Sequence, residues 1–476
     1  MTITEIHSDF TERVCSASGE NAFLCYQCVK CTAGCPLADY FDLTPNQVMR
    51  AVQLGQEDLA LDAKTPWLCA SCQTCTTRCP QGIDVARVMD VLATMALKDG
   101  RKPPVPETVL FNKVFLRDVN VLGRIYELGL MAELNLRTGQ PFKDVGMGIK
   151  MLRKGKMKML PKVARPLRRA SGKTPEPKPN QIAYYPGCSL HSTAVEFDVS
   201  TRAVCQVLDL ELVEPKGWVC CGASAAHRID PEDAVRLPME TLALIEQDGL
   251  REAALPCAAC FNRFRTAQYE MAADTELKAR IREQVGSDAG MDVHVRSLLD
   301  VVVERVGLDM VHSQVTRPLE GLKVACYYGC LLTRPPQVTG AANPEYPMTM
   351  DRLMAALGAT VVDWSDKVSC CGASLSLTRT EVVLDLSARI LDGARSAGAD
   401  AVVVACPLCH GNLDGRQPQM SLLDPESGEE DSDETVPVLY FTQLMALAFG
   451  LSQKHAALSK NMIDPRPLLK KKDVLQ

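Results

Sequence analysis

Five cysteines occur twice in this chain in the same order, and a pattern repeated over so long a stretch requires a duplicated folding unit. The first set is Cys188, the pair Cys220-Cys221 followed by Gly222, and Cys257-Ala-Ala-Cys260. The second is Cys330, the pair Cys370-Cys371 followed by Gly372, and Cys406-Pro-Leu-Cys409. The lone cysteine and the pair are separated by 31 residues in one copy and 39 in the other; the pair and the closing Cys-x-x-Cys are separated by 35 and 34. Adjacent cysteines rarely serve packing alone. Their economical common purpose is a metal–sulfur centre, for which thiolate is the preferred soft ligand.

The chain holds 21 cysteines in 476 residues. Its start, Met1-Thr-Ile-Thr-Glu-Ile-His, has neither the basic beginning nor the apolar core of a secretion signal, so a cytoplasmic location is expected. Thiols there are kept reduced, so metal ligation or redox chemistry is a better reading than a disulfide framework. The net charge of −6 argues against general nucleic-acid binding. No run is apolar for the roughly 18 positions needed to cross a bilayer. The best candidate, Val436 to Leu451, is too short and carries Thr442 and Gln443.

A second repeat lies near the start. Cys25-Tyr-Gln-Cys28-Val-Lys-Cys31-Thr-Ala-Gly-Cys35-Pro36 returns as Cys69-Ala-Ser-Cys72-Gln-Thr-Cys75-Thr-Thr-Arg-Cys79-Pro80. This is the bacterial ferredoxin spacing, in which three close cysteines hold one [4Fe-4S] cube and the fourth reaches to the other. On that rule Cys25, Cys28, Cys31 and Cys79 bind one cube, and Cys69, Cys72, Cys75 and Cys35 bind the second. A pair of zinc knuckles would also use eight cysteines. Nothing in zinc ligation, however, calls for the proline after each fourth cysteine.

The spacing of apolar residues predicts an α+β multidomain chain. An N-terminal α-helical ferredoxin domain (1–102) precedes a helical segment and basic, Pro-containing linker (103–180). Two repeated α/β, parallel-sheet, Rossmann-like cysteine-rich domains follow (181–317 and 318–476). Thr44-Pro45 opens a helix to Leu54, and Asp84 caps one from Val85 to about Lys98. A further helical stretch covers about Glu107 to Leu136. Residues 143–178 carry twelve Lys or Arg against Asp144 and Glu176. They read as a solvated basic connector packing on a neighbouring subunit, in preference to an interfacial helix around Ile149 to Leu160.

Beyond Gln181, short β-like runs alternate with helical patterns, the signature of parallel sheets. Strands are expected at Ile182–Tyr185, Glu211–Glu214, Ala254–Pro256, Lys323–Tyr327, Thr360–Trp364, Ala401–Ala405 and Val436–Phe441. Helices are expected at Ala194–Leu208, Pro231–Gln247, Arg263–Val285, Met348–Leu357 and Thr380–Ser396. Cys188, Cys257, Cys330 and Cys406 then fall just beyond strand carboxyl ends, where ligands gather in such sheets. Asp424 to Glu434, with seven acids and no base, reads as a solvated surface loop.

Tyr184-Tyr-Pro-Gly-Cys188, Trp218-Val-Cys-Cys-Gly-Ala-Ser224, Tyr327-Tyr-Gly-Cys-Leu-Leu332, Cys370-Cys-Gly-Ala-Ser374, Cys406-Pro-Leu-Cys-His410 and Pro437-Val-Leu-Tyr-Phe-Thr-Gln443 resemble the B subunit of heterodisulfide reductase. The doubled ferredoxin segment, with Trp67-Leu-Cys69, is similar to that enzyme's C subunit, so nearly the whole chain resembles a C–B fusion. The resemblance implies that Cys188, Cys220, Cys221, Cys257 and Cys260 hold one noncubane [4Fe-4S] cluster, and that Cys330, Cys370, Cys371, Cys406 and Cys409 hold another. It also implies that the two clusters face one another and together cleave a disulfide, receiving electrons one at a time through the two cubanes. Cys15, Cys205 and Cys326 lie outside both patterns and are expected as buried thiols.

Proton donors are needed as thiolates leave. His191, His227 and His410 are candidates by proximity to the cysteines, and Arg228, Arg263 and Arg334 are candidates to hold an anionic disulfide. No flavin or dinucleotide fingerprint is present, so no flavin is expected on this chain. The donor is expected to be a flavoprotein resembling the A subunit, together with a hydrogenase, formate dehydrogenase or similar electron source. A thiol or disulfide is the expected substrate, and membrane docking would run through a partner. Two alternatives remain open: an electron-transfer subunit of a glycerol-3-phosphate or glycolate dehydrogenase complex, and the same chemistry run toward thiol or sulfur oxidation. Sequence does not set direction, because about 30 mV shifts a two-electron couple by about 1.4 kcal/mol.

Overall fold

The computed structural model describes residues 9–161, 163–164, 177–286, 290–420 and 435–475. The acidic run 424–434 lies outside them.

The first cysteine motifs sit in a helical body. Gln47 accepts a hydrogen bond from the Thr44 backbone at 2.8 Å and starts the helix Pro45–Gln53. Asp84 accepts from the Arg87 backbone at the head of Val85–Lys98. The latter helix buries Val85, Val88, Met89 and Leu92, each contributing about 1.5–3 kcal/mol by leaving water. They join Phe10, Val14, Val48, Trp67 and Leu68 in one core.

The expected long helix from Glu107 is two, Pro106–Leu122 and Glu127–Arg137. Gly123 ends the first with φ +75, a conformation open to glycine. A periodic pattern running through a glycine does not reveal that break.

Among the described residues eight strands form two sheets: β1 (Gln181–Tyr184), β2 (Glu211–Val213), β3 (Glu252–Leu255), β4 (His294–Ser297), β5 (Lys323–Tyr327), β6 (Thr360–Val361), β7 (Ala401–Val404) and β8 (Val438–Tyr440). Their orders are β2-β1-β3-β4 and β6-β5-β7-β8, with every neighbouring pair parallel. In each sheet the chain leaves the first strand in one direction and returns on its other side. This creates a crevice at the carboxyl ends of β1 and β3, and of β5 and β7. Strand β4 was not anticipated: His-Val-Arg-Ser is an edge strand with only Val295 and Ser297 buried, too little apolar alternation to read. The expected helix Arg263–Val285 is also two, Ala258–Ala273 and Thr275–Val285. Asp274 accepts from the Glu276 and Leu277 backbone and restarts the helix.

The two sheet units join through the helices Val195–Val207 and Phe441–Ala448. Phe197 stacks on Tyr440 at 4.1 Å, and Ser200 hydrogen-bonds Thr442 at 2.7 Å. The basic connector is not wholly solvated. Buried Lys156 donates to buried Glu196 at 2.6 Å, Lys143 to the Leu377 carbonyl and Lys154 to the Ser459 carbonyl. It is thus tied to both repeated halves of its own chain. Its helix, Val145–Arg153, buries no residue. Among the described residues no helix is long and apolar enough to cross a membrane.

Candidate functional site

The two ferredoxin-type loops share one backbone device. The residues flanking the second cysteine, Gln27 and Val29 in one loop and Ser71 and Gln73 in the other, all have φ between 51 and 65. Left-handed conformation at a β-branched valine is costly and persists only where surroundings over-determine it. Alternating backbone hands turn N–H groups inward toward an anionic centre; the Ser71 N–H lies 3.4 Å from Cys69 Sγ. Short helices then carry the third cysteines, Cys31 and Cys75.

Cys35, from the first motif, joins Cys69, Cys72 and Cys75 around one cavity of about 400 Å³ closed by Leu37, Phe41 and Met89. The four thiols surround a space; among the described residues no three His, Cys, Asp or Glu converge as ligands of a single ion. Cys79 lies with Cys28 within electrostatic reach of the Tyr26 phenol. Cys28 is exposed, as are its near neighbours in the chain, Phe23, Leu24, Tyr26 and Val29.

In each sheet unit the loop after the first strand delivers the lone cysteine through a glycine. Gly187 and Gly329 have φ +69, and a Cβ there would come within 3.3 Å of Cys260 Sγ and 3.0 Å of Cys409 Sγ. The preceding tyrosines act alike. Tyr185 Oη donates to the Val219 carbonyl at 2.9 Å and Tyr327 Oη to the Ser369 carbonyl at 2.6 Å, fixing the residue before each cysteine pair. Cys221 and Cys260 are 3.2 Å apart and Cys371 and Cys409 3.6 Å; Cys220 lies beside Cys188 and Cys370 beside Cys330. Hydrogen bonds from Cys257 and Cys409 hold the Cys406 thiol well below its usual range, whereas bonds to Cys188 and Cys221 push Cys220 up.

The sets also meet other centres. Cys257 lies beside Cys406, linking the two repeats, and Cys72 lies beside Cys370, linking the second ferredoxin loop to the second repeat. Cys205 and Cys326 are buried apart from both sets, whereas Cys15 is only half-buried.

A small cavity lies where these elements converge, walled by the Ser71–Gln73 loop, the Ala223-Ser224 and Ser374 turns, Ala259 and Leu331. It shares Gln73, Asp90, His227 and Arg263 with an outer cleft of about 1120 Å³. Three buried polar atoms on its wall, Gln73 Oε1, His227 Nδ1 and Ser374 Oγ, have no hydrogen-bond partner, an arrangement that calls for a ligand. His227 Nε2 is 3.2 Å from Ser71 Oγ, and burial pushes its pKa well below the imidazole range. Burial raises Asp90 to about 6 while Arg228 opposes it.

The other histidines sit elsewhere. His191 lies between Glu214 at 3.1 Å and Arg124 at 3.5 Å, edge-on to Trp218. It lines a separate pocket of about 360 Å³ with Cys188, Glu127 and Leu160. His410, although next to Cys409, is directed to the Val438 carbonyl at 3.1 Å and Asn461 at 3.3 Å, stacked on Tyr440. Burial keeps it neutral. The expectation that Arg228 and Arg334 hold substrate is also corrected. Arg228 is spent on the Cys69 carbonyl, Ser71 and Asp90. Arg334 is spent on Thr74, Val368 and Glu345. Arg263 alone of the three lines the cavity. Gln73, Asp90 and Ser374 carried no signal beyond adjacency to cysteines, or none at all.

The Cysteine-rich domain family matches residues 182–265 and 324–414, and the 4Fe-4S dicluster domain family matches residues 24–84. The 8-methylmenaquinol:fumarate reductase membrane anchor subunit of Wolinella succinogenes is 33% identical over 290 residues, covering 60% of this chain and 99% of that protein. The B subunit of the ferredoxin/F(420)H(2)-dependent CoB-CoM heterodisulfide reductase of Methanosarcina acetivorans is 29% identical, covering 60% and 94%. The C subunit of the H(2):CoB-CoM heterodisulfide,ferredoxin reductase of Methanothermobacter marburgensis is 29% identical over 104 residues, covering 22% and 56%. A crystal structure of a hypothetical protein from Helicobacter pylori shares the fold, with a TM-score of 0.50, 13% identity and coverage of 68% of this chain and 57% of that one. The chain therefore belongs, with the Wolinella subunit, to the iron–sulfur proteins built on paired Cysteine-rich domains, adds a 4Fe-4S dicluster domain to them, and is similar to heterodisulfide reductase B subunits in the one part and C subunits in the other.

Proposed function

We propose that this chain relays single electrons from an exposed entry at Cys28 to two five-thiol centres that split or form a disulfide held between them. The observation that carries the reading is the cavity with three unpartnered polar atoms at the meeting point of both cysteine-rich turns and the second ferredoxin loop. Cys25, Cys28, Cys31 and Cys79 hold one [4Fe-4S] cube; Cys35, Cys69, Cys72 and Cys75 hold the other. The two five-cysteine sets each hold a noncubane cluster. The thiol-lined space and the glycines that keep Cβ atoms away from Cys260 and Cys409 fit such groups. When bound, they supply one-electron transfer and a soft metal surface for sulfur.

The chain's own residues do the rest. Cys72 beside Cys370 and Cys257 beside Cys406 order the centres into a line. Ala223, Ala259 and Leu331 exclude water from the cavity, and Arg263 orients an acidic substrate group. His227, neutral at pH 7, exchanges a proton at Nδ1. The balance is one disulfide, two electrons and two protons to two thiols, or the reverse. The exposed apolar residues that flank Cys28 in the chain receive a flavoprotein donor, and the compartment is the reducing cytoplasm.

Iron and sulfide analysis of anaerobically purified protein, with EPR during oxidation with and without a small thiol, tests this. About sixteen irons and a thiol-dependent signal are expected; about eight irons, or indifference to thiol, defeats it. A second reading, electron exchange between a quinol and a partner enzyme, is favoured by the name of the Wolinella relative and by the pocket that ends at Cys188. It predicts reduction of the clusters by a menaquinol analogue, without a thiol-dependent signal.

A further inference from the structure

The later part of the stretch between the ferredoxin segment and the first sheet leaves several large apolar side chains uncovered. Phe142 is 85% exposed, Leu160 78%, Leu136 70% and Met159 66%, with Val145 and Ile149 also exposed. Val145, Ile149 and Leu152 recur at i, i+4 and i+7, the spacing of one helical face, yet the helix Val145–Arg153 buries nothing. Isolated nine-residue helices are unstable in water, so this amphipathic face needs a cover.

The stretch is nevertheless held in place. Asn135 Nδ2 donates to the Lys143 carbonyl at 2.8 Å, Tyr126 Oη to the Met159 carbonyl at 2.6 Å and the Ala164 N–H to the Leu122 carbonyl at 2.7 Å. Lys156 anchors it to Glu196.

Its charge is one-signed. Residues 138–161 contain Lys143, Lys150, Arg153, Lys154, Lys156 and Lys158 against Asp144 alone. Asp144 is itself engaged by Arg416 and Gln419. Lys150 and Arg153 project from the exposed helix.

We infer that this face docks the protein directly on an anionic phospholipid bilayer. Protruding aliphatic side chains and Phe142 enter the headgroup boundary while neighbouring lysines and arginines meet lipid phosphates. An acidic protein surface would satisfy the cations but leave Phe142, Leu160 and Leu136 wet. Docked this way, the pocket lined by Leu160, Glu127, His191 and Cys188 opens at the bilayer. The inference stands whether the five-thiol centres act on a disulfide or a quinol, because binding to lipid needs no turnover.

The test is co-sedimentation of the full, cluster-loaded chain with vesicles of phosphatidylcholine alone and of phosphatidylcholine mixed with phosphatidylglycerol. Wild type should bind the mixed vesicles at low salt and roughly tenfold or more weakly to phosphatidylcholine alone. Phe142→Glu with Ile149→Glu, and separately Lys150→Glu with Arg153→Glu, should each release it. The matched charge reversal Lys64→Glu with Lys102→Glu should not. A Phe142→Trp variant should be quenched by brominated lipid. No binding to anionic vesicles at low salt, equal binding to both lipids, equal loss in the Lys64/Lys102 variant, or an unquenched tryptophan would each overturn the inference and leave the face to a protein partner.

Discussion

Replacing Arg334 by Met tests the joint that sets the second ferredoxin loop against the second repeat. The guanidinium is almost fully buried and donates to Thr74 Oγ1 at 2.8 Å and to the Val368 carbonyl at 3.0 Å, on either side of the Cys72–Cys370 contact. Its pairing with Glu345 is at the surface and counts for little, because solvent screens it. The two inner bonds are charge-assisted, each contributing about 1.5–3 kcal/mol, and their loss strands buried acceptors. Only the Thr74 bond crosses from the repeat to the loop, so docking of the loop should weaken by about 1.5–3 kcal/mol.

Amide hydrogen exchange reads this directly. Protected amides in 72–78 and 367–372 should exchange about tenfold to a hundredfold faster, at about 1.4 kcal/mol per decade. Freeze-quench EPR should show the ferredoxin clusters still reduced by donor while electrons reach the five-thiol sets more slowly. Arg334→Lys keeps the charge but not the planar fork, and should restore little. Exchange faster by less than tenfold, or unchanged transfer with the loop demonstrably released, would refute the argument.

Four further outcomes are expected. Cys35→Ser should perturb the cluster of Cys69, Cys72 and Cys75, and Cys79→Ser that of Cys25, Cys28 and Cys31; the opposite pattern in EPR would show uncrossed ligation. Tyr185→Phe leaves the buried Val219 carbonyl with only the long 3.5 Å bond from Thr241 Oγ1 and should cost about 1–3 kcal/mol in a urea titration of the loaded protein. Cys205→Ala and Cys326→Ala should leave iron content unchanged, since both thiols are buried away from the sets. Asp90 in the folded protein titrates near 6, above its ordinary 3.8, so folding takes up a proton between these values. The penalty is absent below about pH 4 and grows to about 3 kcal/mol by about pH 6. Stability should fall as pH rises through that window, and Asp90→Asn should flatten the dependence.

The cysteine spacings determined a good deal by themselves. Ligand chemistry demands fixed residue types at fixed offsets, so the duplicated sets, the ferredoxin pattern and the strand ends that carry Cys188, Cys257, Cys330 and Cys406 were legible in one dimension. So were helices with a strong cap or a closed apolar face, such as Val85–Lys98, Pro231–Gln247 and Thr380–Ser396.

Tertiary structure decided the rest, because it depends on what faces a residue from far along the chain. Arg228 and Arg334 look like substrate ligands in sequence, yet Cys69 and Thr74 claim them. His410 adjoins a cysteine but turns into the seam with Asn461. Edge strand β4 exists because β3 offers it a partner. The connector's lysines divide between a buried anchor, Lys156 on Glu196, and an exposed basic face. No local pattern distinguishes them, since burial and partner choice are properties of distance in space.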